Sequence, residues 1–410
     1  MPQAHPTVLL IFLSRPVMVC RQQMTEKQHM VLYAAAVFLF WFAQYVFFPT
    51  LPEYLRAKVG SLAVVGAVLS MYGLWQVVIR LPLGILVDTV GRQKLFILGG
   101  FFACAAGSLL LGTTDTTFGL YLGRSLTGLS MGIWVPLVVV FSTFFPAEQS
   151  VRASAILALV TAAARITATA LNGYLNEWGG YILAFVVAIG ATILAALLVL
   201  PVPVNSQPAG APKPRSLLRL FLRRNVLLPS LLAAVNQYVV FGVSLGFMPV
   251  LAKQLGAGDV TIGLLATVNV LLFLLGNLSS TSPGPRLKSE SMLLGTYVLF
   301  ALAIAAAALA ESIPLLFLIQ GLLGIAHGIG YPVLMGLSIR DVPTNQRTAA
   351  MGLHQSVYAA GIFIGPWASG VLADAIGIRP MFVVNAVLCL ALGLTGAIVL
   401  SRRPCRRSVP

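Results

Sequence analysis

A chain of 410 residues that is 58% hydrophobic and only 9% charged has too little polar surface to clothe a soluble globule, and its mean hydropathy of +0.93 agrees. Most of it must face lipid. The net charge of +15 needs no nucleic-acid partner, because lysines and arginines held in cytoplasmic loops and drawn to anionic lipid account for it. Cys20, Cys104, Cys389 and Cys405 lack CxxC or Cys/His spacing, so neither a metal centre nor a disulfide framework is expected. The phosphate-cradling GxxxxGK-Ser/Thr loop is absent from the sequence, which argues against direct use of ATP. No cofactor is expected.

A helix that crosses a hydrocarbon core of roughly 30 Å needs about 20 mainly apolar residues. Such runs lie at 31–52, 61–87, 95–113, 118–144, 153–176, 181–200, 226–252, 260–280, 291–310, 313–338, 349–373 and 380–400, which predicts twelve spans. The segments between them, such as GTTDTT, FPAEQS, NEWGG and LGAGD, carry the Gly, Pro, Asn or charge expected where backbone returns to water. Residues 1–29 read as an N-terminal tail, the first 23 expected to lie upstream of the working protein. Residues 30–203 and 226–401 then form two six-helix bundles, joined by a basic linker at 204–225 and followed by a basic tail at 402–410. With the N-terminus inside, one face gathers most of the 26 lysines and arginines and the other keeps only Arg56, Lys58, Lys253 and Arg379. Both termini are therefore predicted cytoplasmic.

The two halves repeat. The fourth span reads Arg124-x-Leu126-x-Gly128-x-Ser130-x-Gly132-xxx-Pro136, and 196 positions later the tenth reads Gln320-x-Leu322-x-Gly324-x-Ala326-x-Gly328-xxx-Pro332. The fifth span, with Ala164, Ala168, Thr169, Asn172 and Gly173, matches the eleventh, with Gly361, Gly365, Pro366, Ser369 and Gly370, at an offset of 197. A weaker partner to the segment at 84–94 lies at Gly276, Ser280, Gly284, Arg286 and Lys288. Internal repeats of this length suit a two-bundle transporter.

Between the second and third spans the chain reads GILVDTVGRQK, from Gly84 to Lys94. Gly84 is expected to allow close helix approach, Gly91 a reversal at positive φ, and Asp88, Arg92 and Lys94 a rim of opposed charges. The eleventh span starts on the same side, so Asp88 is expected at the level of its unpaired N–H groups, a contact of roughly 0.3–2 kcal/mol. This segment resembles the cytoplasmic loop signature of the major facilitator superfamily, and residues 30–402 are similar to its bacterial permeases. The resemblance implies an all-α integral membrane protein of twelve helices in two bundles that alternates access. In it the third, sixth, ninth and twelfth helices are peripheral, and Asp88 and Arg92 make an inter-bundle contact. Gly361, Gly365 and Pro366 resemble a motif that the family's antiporters carry in the fifth helix, where this chain has Ala164, Ala168 and Thr169 instead. That departure counts against an exporter.

Polarity follows the same division. The third, sixth, ninth and twelfth spans are nearly free of strong polar groups, whereas the others carry the candidate substrate-binding set: Gln44, Tyr45, Arg124, Arg165, Asn236, Gln237, His327, Tyr331, Gln355 and Tyr358. None of the eleven acids falls at mid-depth, yet Arg124 and Arg165 do. Each guanidinium therefore needs a partner, either an anionic group of the substrate or backbone carbonyls and cavity water. Arg80, nearer the rim, is expected to snorkel or to support the Asp88 contact. His327 is the candidate proton-coupling residue. The expectation is a monomeric secondary transporter of the cell membrane that moves a small organic anion or zwitterion, with the proton as candidate co-substrate. The alternative is a proton-coupled exporter of lipophilic drugs, and remoter ones are a membrane sensor or a membrane enzyme.

Overall fold

The computed structural model describes residues 25–204, 220, 223–281, 288–343 and 346–401. Residues 1–24 of the expected N-terminal tail, the tail at 402–410, nearly all of the linker, and Gly284 and Arg286 of the weaker repeat lie outside these. Among the described residues the chain is helical throughout: α1 (Glu26–Tyr45), α2 (Leu51–Val59), α3 (Leu62–Val90), α4 (Gln93–Thr113), α5 (Thr117–Ser130), α6 (Trp134–Ser142), α7 (Ser150–Val199), α8 (Arg224–Tyr238), α9 (Met248–Gln254), α10 (Asp259–Thr281), α11 (Ser289–Ala308), α12 (Ile313–Arg340), α13 (Arg347–Ile376) and α14 (Ile378–Ser401). Ten stretches of them are long and apolar enough to cross a membrane.

Local chemistry sets the ends and breaks. A capping box, with the Thr25 hydroxyl on the Gln28 N–H and the Gln28 side chain on the Thr25 N–H, starts α1 at Glu26, four residues before the expected bundle boundary. Gly91, at φ 66°, ends α3 in the left-handed conformation that its place in the GILVDTVGRQK segment led us to expect. The 50-residue α7 breaks at Gly179 and Gly180, the latter at φ 68° and ψ 178°. Both arms pack on one region: Asn172 and Asn176 donate to Thr50, while the Phe185 ring packs tilted against Phe47 and Tyr54, so the chain reverses at the glycine pair. Pro136 cannot donate to the turn before it, and a 3-10 turn at Met131–Ile133 separates α5 from α6 there. Between α8 and α9 the chain is π-helical from Val239 to Phe247, a departure from the continuous α-helix that the apolar run suggests.

The helices form two halves, α1–α7 and α8–α14, which meet along α3 against α13 and α7 against α10. Helices α4, α11 and α14 pack chiefly within their own halves and present exposed apolar side chains such as Phe102, Leu302 and Val387, as lipid-facing helices should. The repeat is visible in the packing. A Cβ at Gly128 would lie 2.7 Å from the Tyr72 carbonyl oxygen, and one at Gly324 2.4 Å from that of Asn269, so equivalent glycines seat α5 on α3 and α12 on α10.

Candidate functional site

The interface between the halves is tightest at the end where α3 and α10 begin. A Cβ added at Gly66 would lie 2.3 Å from the Pro366 carbonyl oxygen, at Gly73 2.3 Å from the Phe363 nitrogen, and at Gly173 2.2 Å from the Val260 Cα. Polar contacts cross at the same level. Asp374 accepts from the Leu62 N–H at 2.9 Å, and Asn176 donates to Asp259 at 3.0 Å, while Lys253 pairs with Asp259 at 2.9 Å. Glu53 is buried beside this cluster with Arg56 at 3.4 Å. Burial pushes its carboxyl above the ordinary carboxylate range, against the pull of Arg56 and Lys253.

Deeper in, arginines meet aromatic rings instead of carboxylates. Arg124 is fully enclosed between Phe48 and Tyr72, at 4.6 and 4.2 Å from the ring centroids, and donates to Thr127 Oγ1 at 3.4 Å. Phe241, from the π-helical segment of the other half, closes over both rings at 5.9 Å. At the equivalent place in the second half, Gln320 exchanges hydrogen bonds with Ser244 and accepts from Asn269. The repeat thus keeps the architecture while exchanging a cation between rings for an amide between polar groups.

Arg165 is held differently. Its guanidinium lies 4.7 Å from the Tyr45 ring in its own half and 5.3 Å from Phe273 in the other. It makes no hydrogen bond to any described residue, and its buried Nε has no partner. From Phe273 a ring series runs to His327 (4.5 Å), Tyr331 (5.8 Å) and Tyr358 (6.1 Å). It ends at Arg80, 4.9 Å from Tyr358. Arg80 donates to Gln76 Oε1 at 2.6 Å and to the Gln355 carbonyl at 3.2 Å, which again crosses between halves. Arg80 is 7% exposed, so it does not snorkel: Gln76 one turn before it and the Tyr358 ring hold it in the protein.

The predicted set is therefore divided by the structure. Tyr45, Arg165, His327, Tyr331, Gln355 and Tyr358 gather around the interface, with His327 Nε2 and Gln355 Oε1 lacking hydrogen-bond partners among the described residues. Gln237, whose Oε1 is also unpartnered, stands one turn before Phe241 on the same face. Gln44 instead ties α1 to α5 through Ser130 and Thr127. Asn236 turns into its own half, its Nδ2 2.8 Å from where a Gly330 Cβ would stand, beside Thr296.

Gly361 and Gly365, of the segment that resembles the antiporter motif, pack bare backbone against Ala234 and Tyr238 of their own half. Gly84 meets nothing within 4 Å, because the close approach of α3 lies at Gly66 and Gly73 in this conformation. Arg92 is exposed at the start of α4. Lys94 donates to the Leu200 and Val202 carbonyls and so fastens α4 to the end of α7 within one half. The Asp88 side chain lies outside those described.

Sequence reasoning missed Phe273, Phe241 and Asp374, and it gave Arg80 a role at the rim. Phe273 had a faint signal, because it stands one turn from both Asn269 and Asn277 on one face of α10.

Two helical halves related by repeat, meeting around buried arginines and unpartnered amides, define a membrane transporter and not an enzyme. The chain belongs to the major facilitator superfamily: the Major Facilitator Superfamily model matches residues 33–250 and again 230–410. It is a multi-pass protein of the cell membrane. The inner membrane transport protein YajR of Escherichia coli K12 is 32% identical over 160 residues, 38% of this chain and 35% of YajR, so that match spans about a third of the relative. An uncharacterised MFS-type transporter of Methanocaldococcus jannaschii is 22% identical over 351 residues, covering 82% of this chain and 89% of the relative. Among solved structures, a bacterial homologue of the human lysosomal transporter Spinster, in an inward-facing and unoccupied conformation, superposes with a TM-score of 0.75 at 17% identity. That likeness covers 93% of this chain and 99% of the homologue and shows the fold.

Proposed function

We propose that this transporter carries a small organic anion or zwitterion between its halves by alternating access, with Arg165 as the group that holds the negative charge. One observation carries this reading: the Arg165 guanidinium lies 4.7 Å from the Tyr45 ring of its own half and 5.3 Å from the Phe273 ring of the other, and its buried Nε has no hydrogen-bond partner among the described residues. A guanidinium held by rings and not by acceptors keeps N–H donors for a ligand, and their fork matches a carboxylate or phosphate. Arg124, enclosed and bonded to Thr127, serves the packing of its half. His327 acts as a hydrogen-bonding ligand through Nε2, and Gln237 and Gln355 offer acceptors to the ammonium or hydroxyl groups of a zwitterionic substrate. The lysine and arginine distribution favours the outer side for the tightly packed end, and the same asymmetry supports cytoplasmic termini. Reconstituted protein tests the reading by counterflow: vesicles loaded with anionic or zwitterionic metabolites should drive exchange, and exchange confined to cationic lipophiles would reject it in favour of drug export.

A further inference from the structure

We infer that the substrate's body is a planar, conjugated ring, seated along the series Phe273, His327, Tyr331 and Tyr358 with its acidic group on Arg165; this rests on the reading of Arg165 as the anion-holding residue. The series joins the two cations that reach across the halves, Arg165 at Phe273 and Arg80 at Tyr358. Phe273 and His327 are tilted at 37°, and the later rings are set edge to face, 74° between His327 and Tyr331 and 72° between Tyr331 and Tyr358. Such a series offers ring faces and edges in alternation, and a conjugated ligand meets either with the favourable quadrupole geometry that a saturated ring of equal size lacks. Phe273 and Tyr331 are only half-buried, so two members of the series keep free surface.

Arg80 adds a second reason. The Tyr358 ring lies 4.9 Å from it and two of its donors are taken by Gln76 and Gln355, so it contributes positive potential at the far end of the rings without an open fork. A planar ligand of delocalised electron density is favoured between two cations, whereas a lipophilic cation is repelled by both.

The test uses purified full-length protein in detergent and three probes: 2-naphthoate, decahydronaphthalene-2-carboxylate of the same charge and similar size, and 2-naphthylmethylammonium. Thermal stabilisation is titrated with each. We expect 2-naphthoate to act at about three- to tenfold lower concentration than the saturated acid, the difference expected of one or two ring contacts, and the ammonium to have no effect. Tyr331→Leu and Tyr358→Leu should each shrink the preference between the two acids, while Arg165→Gln should weaken both acids together. Equal action of the two acids on the wild-type protein would overturn the inference and leave the anion reading standing. Action of the ammonium alone, or of none of the three, would overturn both.

Discussion

The Asp374 carboxylate, at the end of α13, accepts a hydrogen bond from the Leu62 N–H at the start of α3 at 2.9 Å and receives the Ser61 hydroxyl at 3.4 Å. An anion thus sits at the positive end of a helix in the other half. The signature segment places Asp88 at the opposite end of the same α3, on the side where α13 begins, so the antiparallel pair α3 and α13 carries an acid at each terminus. Replacement of Asp374 by Asn removes the charge and should shift the balance between closed and open outer ends by about two- to thirtyfold, the population equivalent of roughly 0.3–2 kcal/mol. Distances between spin labels on the outer ends of α3 and α13 read that shift directly, and an unchanged distribution would count against the contact as a latch.

Gly73 and Gly173 set how closely the halves can meet. A Cβ at either position would run into backbone, which cannot rotate away, at 2.3 Å from the Phe363 nitrogen and 2.2 Å from the Val260 Cα. Gly73→Ala and Gly173→Ala should therefore oppose outer closure by about 1–3 kcal/mol. Transport should fall tenfold or more with membrane insertion intact, and cysteines near Arg165 should gain reactivity from outside. Normal flux in both variants would contradict this packing.

Glu53 predicts a pH dependence with a definite sign. Burial raises its carboxyl above the ordinary range, while Arg56 and Lys253 oppose the shift and Asp259 adds to it. The folded protein then binds a proton more tightly than the unfolded chain, so this group's contribution weakens stability as pH rises from the ordinary carboxylate range through the raised value. Glu53→Gln should flatten that part of the curve of melting temperature against pH. A parallel curve in the variant would remove Glu53 as its origin.

Arg124 separates packing from binding. Loss of its two ring contacts in Arg124→Gln should lower stability by about 1–4 kcal/mol while changing ligand affinity far less than Arg165→Gln. Equal loss of affinity in both would return Arg124 to the binding site.

The sequence carried the large features because they repeat or have a period. Gly128 and Gly324 stand at one offset and seat equivalent helices, and the glycine pair at 179 and 180 marks the reversal inside α7. Polarity told which helices avoid lipid, yet it could not tell which interior a side chain faces: Asn236 and Gln237 are neighbours, and Asn236 turns into its own half while Gln237 shares a face with Phe241. The ring partners of the arginines were illegible for a related reason. Phe273 and Phe241 read as ordinary apolar residues, and only the meeting of the halves brings Phe273 to Arg165 and Phe241 to Phe48 and Tyr72. Gly84 shows the converse, a residue suited to close approach that this conformation leaves apart.

The anion site at Arg165 is tested most directly by a thermal-shift screen of anionic, neutral and cationic metabolites on the wild-type protein and Arg165→Gln. Arg165→Lys serves as the variant that keeps the charge and loses the fork. The account predicts stabilisation by anions or zwitterions, weakened in the lysine variant and reduced by about 2–5 kcal/mol of binding free energy in the glutamine variant. Stabilisation by cations, undiminished in Arg165→Gln, would contradict it.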